Sequence, residues 1–340
     1  MERLMRYVRE LCALPGVSGA EDAVRAYITE HIEGKCEYRT DALGSVIAYK
    51  PGQSKEARKV MFDAHMDEVG VIATHVGEDG FVRFDTVGGV NPAVLAGKRV
   101  RFPSGAYGVI GIKPVHLTGA DDRGKLLPAE KLFIDVGADD KAGALERVCP
   151  GDVGVFDCEY ALLGEHRVRS KALDDRIGCA VMLRLIDEEL PCGAWFSFAV
   201  QEEIGLRGAK ATGYAVQPDY AVVLEATTAA DLPGADGAKA VCRLGEGAVV
   251  SFMDRRTVYD AQLYARVRAL ADRENIPNQT KTMIAGGNDA GVITGAGVGV
   301  RTTAVSVPCR YIHSPGSVCD VRDIEAVWRL SRALLPELGL

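Results

Sequence analysis

The chain has 340 residues, of which 47% are hydrophobic and 26% charged, enough to bury a sizeable core in one large domain or two smaller ones. Its formal net charge of -7, with no basic stripe, argues against nucleic acid as a partner, because neutralising phosphates needs clustered Lys and Arg. No apolar run approaches the ~18 residues of a membrane span, so no membrane partner is expected.

In chain order, residues 3–13 place Leu4, Val8, Leu11 and Cys12 on one helical face, and "PGVSGAED" restarts a helix with Ser18 and Glu21 spaced as a capping box. Strand-like runs follow at 45–49 and 59–64, the second delivering His65 at its carboxyl end. From about 69 to 163 the runs become short, Val-rich and separated by Gly or Asp turns, with no helical period. Helix–strand alternation then resumes: a helix near 176–190, strands at 194–200 and 220–225, a long exposed loop at 227–240, a helix near 258–273, a strand at 300–307 and a closing helix near 320–337.

The expected fold class is therefore α/β, a sheet covered by helices on both faces, made of residues 1–67 and 164–340 and interrupted by a small all-β insertion at 68–163. The opening "MERLMRYVRELCALPG" carries charges throughout, unlike a signal peptide. Nine cysteines without a C-x-x-C pair read as mostly buried, reduced thiols, which points to the cytoplasm.

Open α/β sheets bind ligands beyond the carboxyl ends of their strands, and titratable residues collect there. His65 and Asp67 close the 59–64 strand, Asp174 and Asp175 precede a helix, Glu202 and Glu203 follow "AWFSFAV", Glu225 follows "AVVL", and His313 follows the last strand. Imidazole nitrogen and carboxylate oxygen together suit borderline divalent cations, and two such ions about 3.5–4 Å apart share a bridging carboxylate. If Asp174 bridges, one ion could take His65 and Glu225, the other Glu203 and His313. Three carboxylates against two divalent ions leave one positive charge, which a bridging hydroxide would cancel. Residues two apart on an extended segment point the same way, so Asp67 is placed to hold the His65 imidazole. Each piece alone also has a plain structural reading: "DDR" as a helix cap, "QEE" as a solvated loop, Glu225 as a strand terminus, His313 as a turn histidine.

No cysteine has a nucleophile setting, and G-x-S-x-G, G-x-G-x-x-G and Walker loops are absent. "TVGGVNP" (86–92) and "AGGNDAG" (285–291) read as turns lining a site or an interface. Paired carboxylates also serve glycoside hydrolysis, which has no use for two histidines completing a metal pair.

Taken together, "AHMDEVG", "KALDDRIG", "QEEIGLRGA", "GGNDAG" and "RYIHSP", in this order, resemble the M42 family of cobalt- or zinc-dependent aminopeptidases, relatives of glutamyl aminopeptidase and of CelM-labelled endoglucanases. The likeness covers essentially the whole chain. It implies a three-layer α/β/α zinc-peptidase-like domain whose inserted β domain serves dimerisation, with dimers assembling into tetrahedral dodecamers that admit peptides. It implies two divalent ions per subunit, Zn²⁺ or Co²⁺ with Mn²⁺ as a further choice. His65, Asp174 and Glu225 would hold one ion and Asp174, Glu203 and His313 the other, with Asp67 orienting His65 and Glu202 as general base. The implied reaction is release of the N-terminal residue of a peptide through a metal-bridging hydroxide. The alternatives are a glycoside hydrolase and a non-catalytic family member. Glu225 stands where many members carry Asp, and Asn288 where Thr is frequent. An acidic substrate would want a cation in the first pocket, and Arg310, Lys171 and Arg207 lie near the motifs.

Overall fold

The structure, a computed structural model, describes residues 1–117, 125 and 127–340. Among the described residues, eleven strands form one sheet. Its members before the insertion are β1 (Glu37–Thr40), β2 (Val46–Lys50) and β3 (Val60–His65). Six more, β4 (Gly70–Val76), β5 (Val82–Val87), β6 (Arg99–Arg101), β7 (Tyr107–Gly111), β8 (Phe133–Asp135) and β9 (Val153–Phe156), close on themselves as a separate barrel. The large sheet resumes with β10 (Ala161–Leu163), β11 (Arg167–Ser170), β12 (Ala194–Ala199), β13 (Tyr220–Thr228), β14 (Ala248–Val250), β15 (Asn278–Thr280), β16 (Arg301–Arg310) and β17 (Ser317–Asp320).

The sheet order is β1-β2-β12-β3-β13-β16-β17-β11-β10, with β14 on β16 and β15 on β14. Its central four strands, β12, β3, β13 and β16, run parallel, so their carboxyl ends emerge along one edge. Parallel strands need coverage on both faces, and the alternation of side chains supplies it. Val60, Phe62, Ala64, Val222 and Leu224 point into the larger core. There they meet α1 (Glu2–Ala13), α2 (Asp22–Ile32), α4 (Leu173–Ile186), α6 (Ala261–Arg273) and α8 (Val321–Gly339). Met61, Ala221 and Val223 point the other way, onto α5 (Arg207–Val216) and α7 (Ala290–Ile293). The architecture is thus the three-layer α/β/α sandwich that the alternation predicts, plus a barrel with its own core of Val71, Val82, Phe84, Val100, Ile110, Ile134 and Phe156. The barrel also carries the short helix α3 (Lys141–Leu145).

Element bounds follow the expected ones within a few residues, and the exceptions have physical causes. The capping box does not form: α2 starts at Asp22 after Glu21, with no side-chain cap. Ser18 instead donates to Asp67 Oδ2 at 2.6 Å, and Glu21 Oε1 accepts from the amides of Gly19 and Gln201, so both serve a tertiary contact. The 227–240 segment is only partly a loop, because β13 runs on to Thr228 and Thr227, Ala229 and Ala240 are buried. Six of the nine cysteines are buried and all are free. Among the described residues no helix is long and apolar enough to cross a membrane.

The barrel interrupts the fold at its chemistry. It begins five residues after His65, at Gly70, and the chain rejoins the sheet shortly before Asp174. A buried clamp ties these two crossings together: Lys171 Nζ lies 2.7 Å and Arg176 Nη2 3.1 Å from Glu68 Oε1.

Candidate metal centre

Four parallel strand ends and one helix start converge on a single cluster. β3 ends in His65, the turn after β12 carries Glu202 and Glu203, β13 carries Glu225, and the turn after β16 carries His313. Glu225 lies three residues inside its strand and not at the terminus, its Oε1 accepting from the Ala226 amide at 3.0 Å. Asp174 sits at the start of α4, where its φ of -82° and ψ of 108° and those of Asp175 are not helical. These dihedrals turn its carboxylate toward the strand ends.

The Asp174 carboxylate is shared. Its Oδ1 lies 3.3 Å from His65 Nε2, and its Oδ2 lies 3.4 Å from His313 Nε2. His65 Nε2 is also 3.6 Å from Glu225 Oε1, and His313 Nε2 is 3.3 Å from Glu203 Oε2. Two sets of ligand atoms result, His65–Asp174–Glu225 and Asp174–Glu203–His313, each within 4.8 Å of one another and meeting only in Asp174. Nitrogen and oxygen donors in groups of three, with one bridging carboxylate, fit a pair of borderline divalent ions.

Charge supports the fit. Burial pushes the carboxyls of Glu203 and Glu225 well above their ordinary range, and the neighbouring acids, Asp174 for Glu203 and Asp175 with Asp174 for Glu225, push them further. Burial also works to raise Asp174, but hydrogen bonds to His313 and His65 hold it far below the usual carboxylate range. His313 is raised to about 9, chiefly by Asp174. Such a cluster has more carboxylate than its two imidazoles can neutralise, and a cation supplies what is missing.

Asp67 does more than face His65. The Nδ1 of His65 is nearer the Asp67 backbone carbonyl, at 3.1 Å, than its Oδ1, at 3.4 Å. The carboxylate chiefly accepts from the amides of Glu202 (3.0 Å) and Glu203 (3.1 Å) and from Ser18. It therefore fixes the turn that carries both glutamates. Burial pushes Glu202 up to about 7, with Asp174 and Asp67 adding and the imidazoles opposing.

Beneath the cluster lies a layer of which the sequence offered Asp175, beside Asp174, and Asp289, within "GGNDAG", but not Asp63. Asp63, Asp175 and Asp289 are fully or almost fully buried, and burial raises all three, Asp63 to about 6. Asp63 stands two residues before His65 on the same strand, so strand periodicity was the available signal for it.

A cavity of about 420 Å³ opens on the cluster, lined by Asp174, Glu202, Glu225, Thr227, Asn288, Lys281 and His313, with Gly89 and Asn91 contributed by the barrel's "TVGGVNP" turn. At Gly89 a Cβ would stand 3.2 Å from His313 Nδ1, so a larger residue in this turn would press on the imidazole. Of the three cations named from the sequence, none faces this cavity. Arg310 is paired with Asp231 at 2.6 and 2.7 Å, Lys171 is locked to Glu68, and Arg207 lines a separate groove with Leu43 and Tyr214.

Comparison with known proteins agrees in family and fold. The family model of the M42 glutamyl aminopeptidases matches residues 44–330. The lysyl aminopeptidase of Pyrococcus furiosus is 34% identical over 97% of this chain and 96% of its own. A TET aminopeptidase from a marine-sediment Thaumarchaeota archaeon superposes with a TM-score of 0.94 at 34% identity, covering 100% of this chain and 97% of that one. The Pyrococcus horikoshii TET1 peptidase, which can assemble into a tetrahedron or a large octahedral shell, superposes with a TM-score of 0.86 at 32% identity over 97% of this chain and 98% of that one.

Proposed function

Since this chain belongs to the M42 glutamyl aminopeptidase family and is an aminopeptidase, we propose that it releases the N-terminal residue of peptides at a two-metal centre built on Asp174. His65, Asp174 and Glu225 would hold one ion and Asp174, Glu203 and His313 the other. The observation that carries this reading is the division of one carboxylate between two imidazoles, at 3.3 and 3.4 Å. Zn²⁺, Co²⁺ and Mn²⁺ all suit the donors. When bound, such ions polarise a carbonyl and make a water more acidic.

The chain's own residues do the rest. Glu202, on the cavity wall beside the ligands, takes a proton from the attacking water and returns it to the leaving amine. Asp67 positions it through the amides of the Glu202–Glu203 turn and orients His65. The barrel, residues 70–156 of the expected 68–163 insertion because 161–163 pair with β11 in the large sheet, acts as an oligomerisation domain for a homo-oligomer, a dimer extending to a closed shell such as the tetrahedron of the horikoshii relative, and its Gly89 turn completes the cavity wall. Nine free thiols suit a reducing compartment such as the cytoplasm.

A glycosidase would survive a chelator, whereas this centre should lose activity and regain it with Co²⁺, Zn²⁺ or Mn²⁺. The decisive variant is Glu202→Gln. It should lower kcat by about 10²- to 10⁴-fold at unchanged metal content. Near-normal turnover would remove Glu202 from the mechanism.

A further inference from the structure

Family membership leaves the N-terminal residue open, since the family model carries the name of a glutamyl enzyme and a close relative that of a lysyl enzyme. The cavity on the metal centre offers a discriminating group. Lys281 follows β15, its backbone amide donating to Val250 O at 3.2 Å, and its side chain lines the cavity while only 8% exposed. An ammonium has three donors. One goes to the Ala285 carbonyl at 2.7 Å, and among the described residues no carboxylate lies within ion-pair distance of it.

The other charged groups of the cavity are accounted for. Asp174, Glu202, Glu225 and His313 belong to the metal centre. Asp254 accepts from the amides of Arg256 and Thr257 and from the Tyr259 hydroxyl, at 2.7 to 2.8 Å, so it does not depend on Lys281. Burial works against the ammonium, Asp254 and Glu225 oppose it only from beyond ion-pair distance, and a ligand carboxylate in direct contact would offset that cost. In an aminopeptidase the substrate groups next to the scissile carbonyl are the α-amine and the side chain of the N-terminal residue, and of these only the side chain can bring a negative charge.

We propose that Lys281 is a specificity-determining residue whose ammonium receives the side-chain carboxylate of an N-terminal Glu or Asp. The inference rests on the aminopeptidase reading. It makes Glu and Asp the preferred N-terminal residues, with Lys disfavoured by like charge.

The test uses the full metal-loaded chain with Glu, Gln, Leu and Lys anilides, together with Leu-Gly and its C-terminal amide. The wild-type chain should prefer the Glu over the Gln anilide by about 10- to 100-fold in kcat/KM, a comparison that needs no variant. Lys281→Met should bring that ratio close to one while changing the Leu anilide by no more than about twofold. Lys281→Arg should keep the preference, and Lys281→Glu should turn it toward Lys. A wild-type Glu to Gln ratio near one overturns the inference. So does an equal loss on Glu and Leu in Lys281→Met, which would reduce Lys281 to a tether for Ala285. A Lys281→Met variant that loses only discrimination between Leu-Gly and its amide would assign the ammonium to the leaving peptide's carboxylate and also overturn it. Turnover of none of these substrates overturns the aminopeptidase reading itself, and the inference with it.

Discussion

Two clusters of buried charge share the same two motifs. "AHMDE" sends His65 and Asp67 to the metal centre and Glu68 to the clamp, while "KALDDR" sends Asp174 to the centre and Lys171 and Arg176 to the clamp. The clamp is closed on itself. All five N–H groups of Arg176, which is fully buried, find acceptors: Met66 O, Leu11 O, Leu14 O, Gly16 O and Glu68 Oε1. The metal centre is left open, with the carboxyls of Glu203 and Glu225 pushed upward by burial and by the acids around them. A structural cluster satisfies its hydrogen-bonding groups internally, here two cations on one carboxylate and a set of backbone carbonyls, and a functional one keeps a deficit for something else to fill.

Arg176→Met should give the largest effect. It strips five acceptors and leaves Glu68 with Lys171 alone, so unfolding by urea at saturating metal should show a loss of about 3–5 kcal/mol. A loss below about 1 kcal/mol would mean that the two clusters do not differ in kind.

Removing metal comes next. At a free ion concentration of 100 Kd, binding should stabilise the chain by about 2.7 kcal/mol, which a chelator reverses. The effect has a pH signature. The raised pKa of His313, about 9, means that below this pH the metal-free chain carries a proton that the ion must displace. Metal affinity should therefore climb with pH up to about 9, with proton release visible calorimetrically in buffers of different ionisation enthalpy. The imidazolium's own contribution to metal-free stability runs the other way. It is fully present below about 6.5 and fades as pH rises through about 9. Metal-free and metal-loaded melting curves should thus diverge with rising pH; parallel curves would break the comparison.

Asp67→Asn sharpens it on a smaller scale. The amide keeps one acceptor but turns an N–H toward a backbone amide or the Ser18 hydroxyl, loosening the Glu202–Glu203 turn. A loss of about 10- to 100-fold in metal affinity or kcat/KM is expected, with global stability changed far less than in Arg176→Met.

The difference between the clusters also marks what the sequence could reveal. β3, β12, β13 and β16 are apolar runs buried along nearly their whole length, so their ends, and the titratable residues beyond them, were legible. The edge strands were not: β1 is exposed at every position, and β10, β14 and β15 have three residues each, too few for a period. α5 was missed because "RGAKATGYAV" holds two glycines and a threonine and packs its small residues against α7. The clamp could not be read, since Lys171 and Glu68 stand 103 residues apart and only the fold pairs them. Lys281 escaped for the same reason: it lies in no motif, and β14 and β15 carry it to the cavity.

Ser18 gives the finest test, because its two readings predict different observables. As the N-cap of α2 its loss would cost about 1 kcal/mol of stability and leave the metal centre alone. In the structure its hydroxyl instead donates to Asp67 Oδ2 at 2.6 Å in a buried setting, while α2 has no side-chain cap. Ser18→Ala then removes one of three donors from the Asp67 carboxylate and leaves the two amides of the glutamate turn in place. A hydrogen bond to a charged group contributes about 1.5–3 kcal/mol, of which the two remaining donors recover part. The effect should therefore appear as a loss of less than about tenfold in metal affinity or kcat/KM, smaller than for Asp67→Asn and non-additive with it in the double variant. Additive losses would place Ser18 outside the network that carries Glu202 and Glu203, returning it to the scaffold side of the divide.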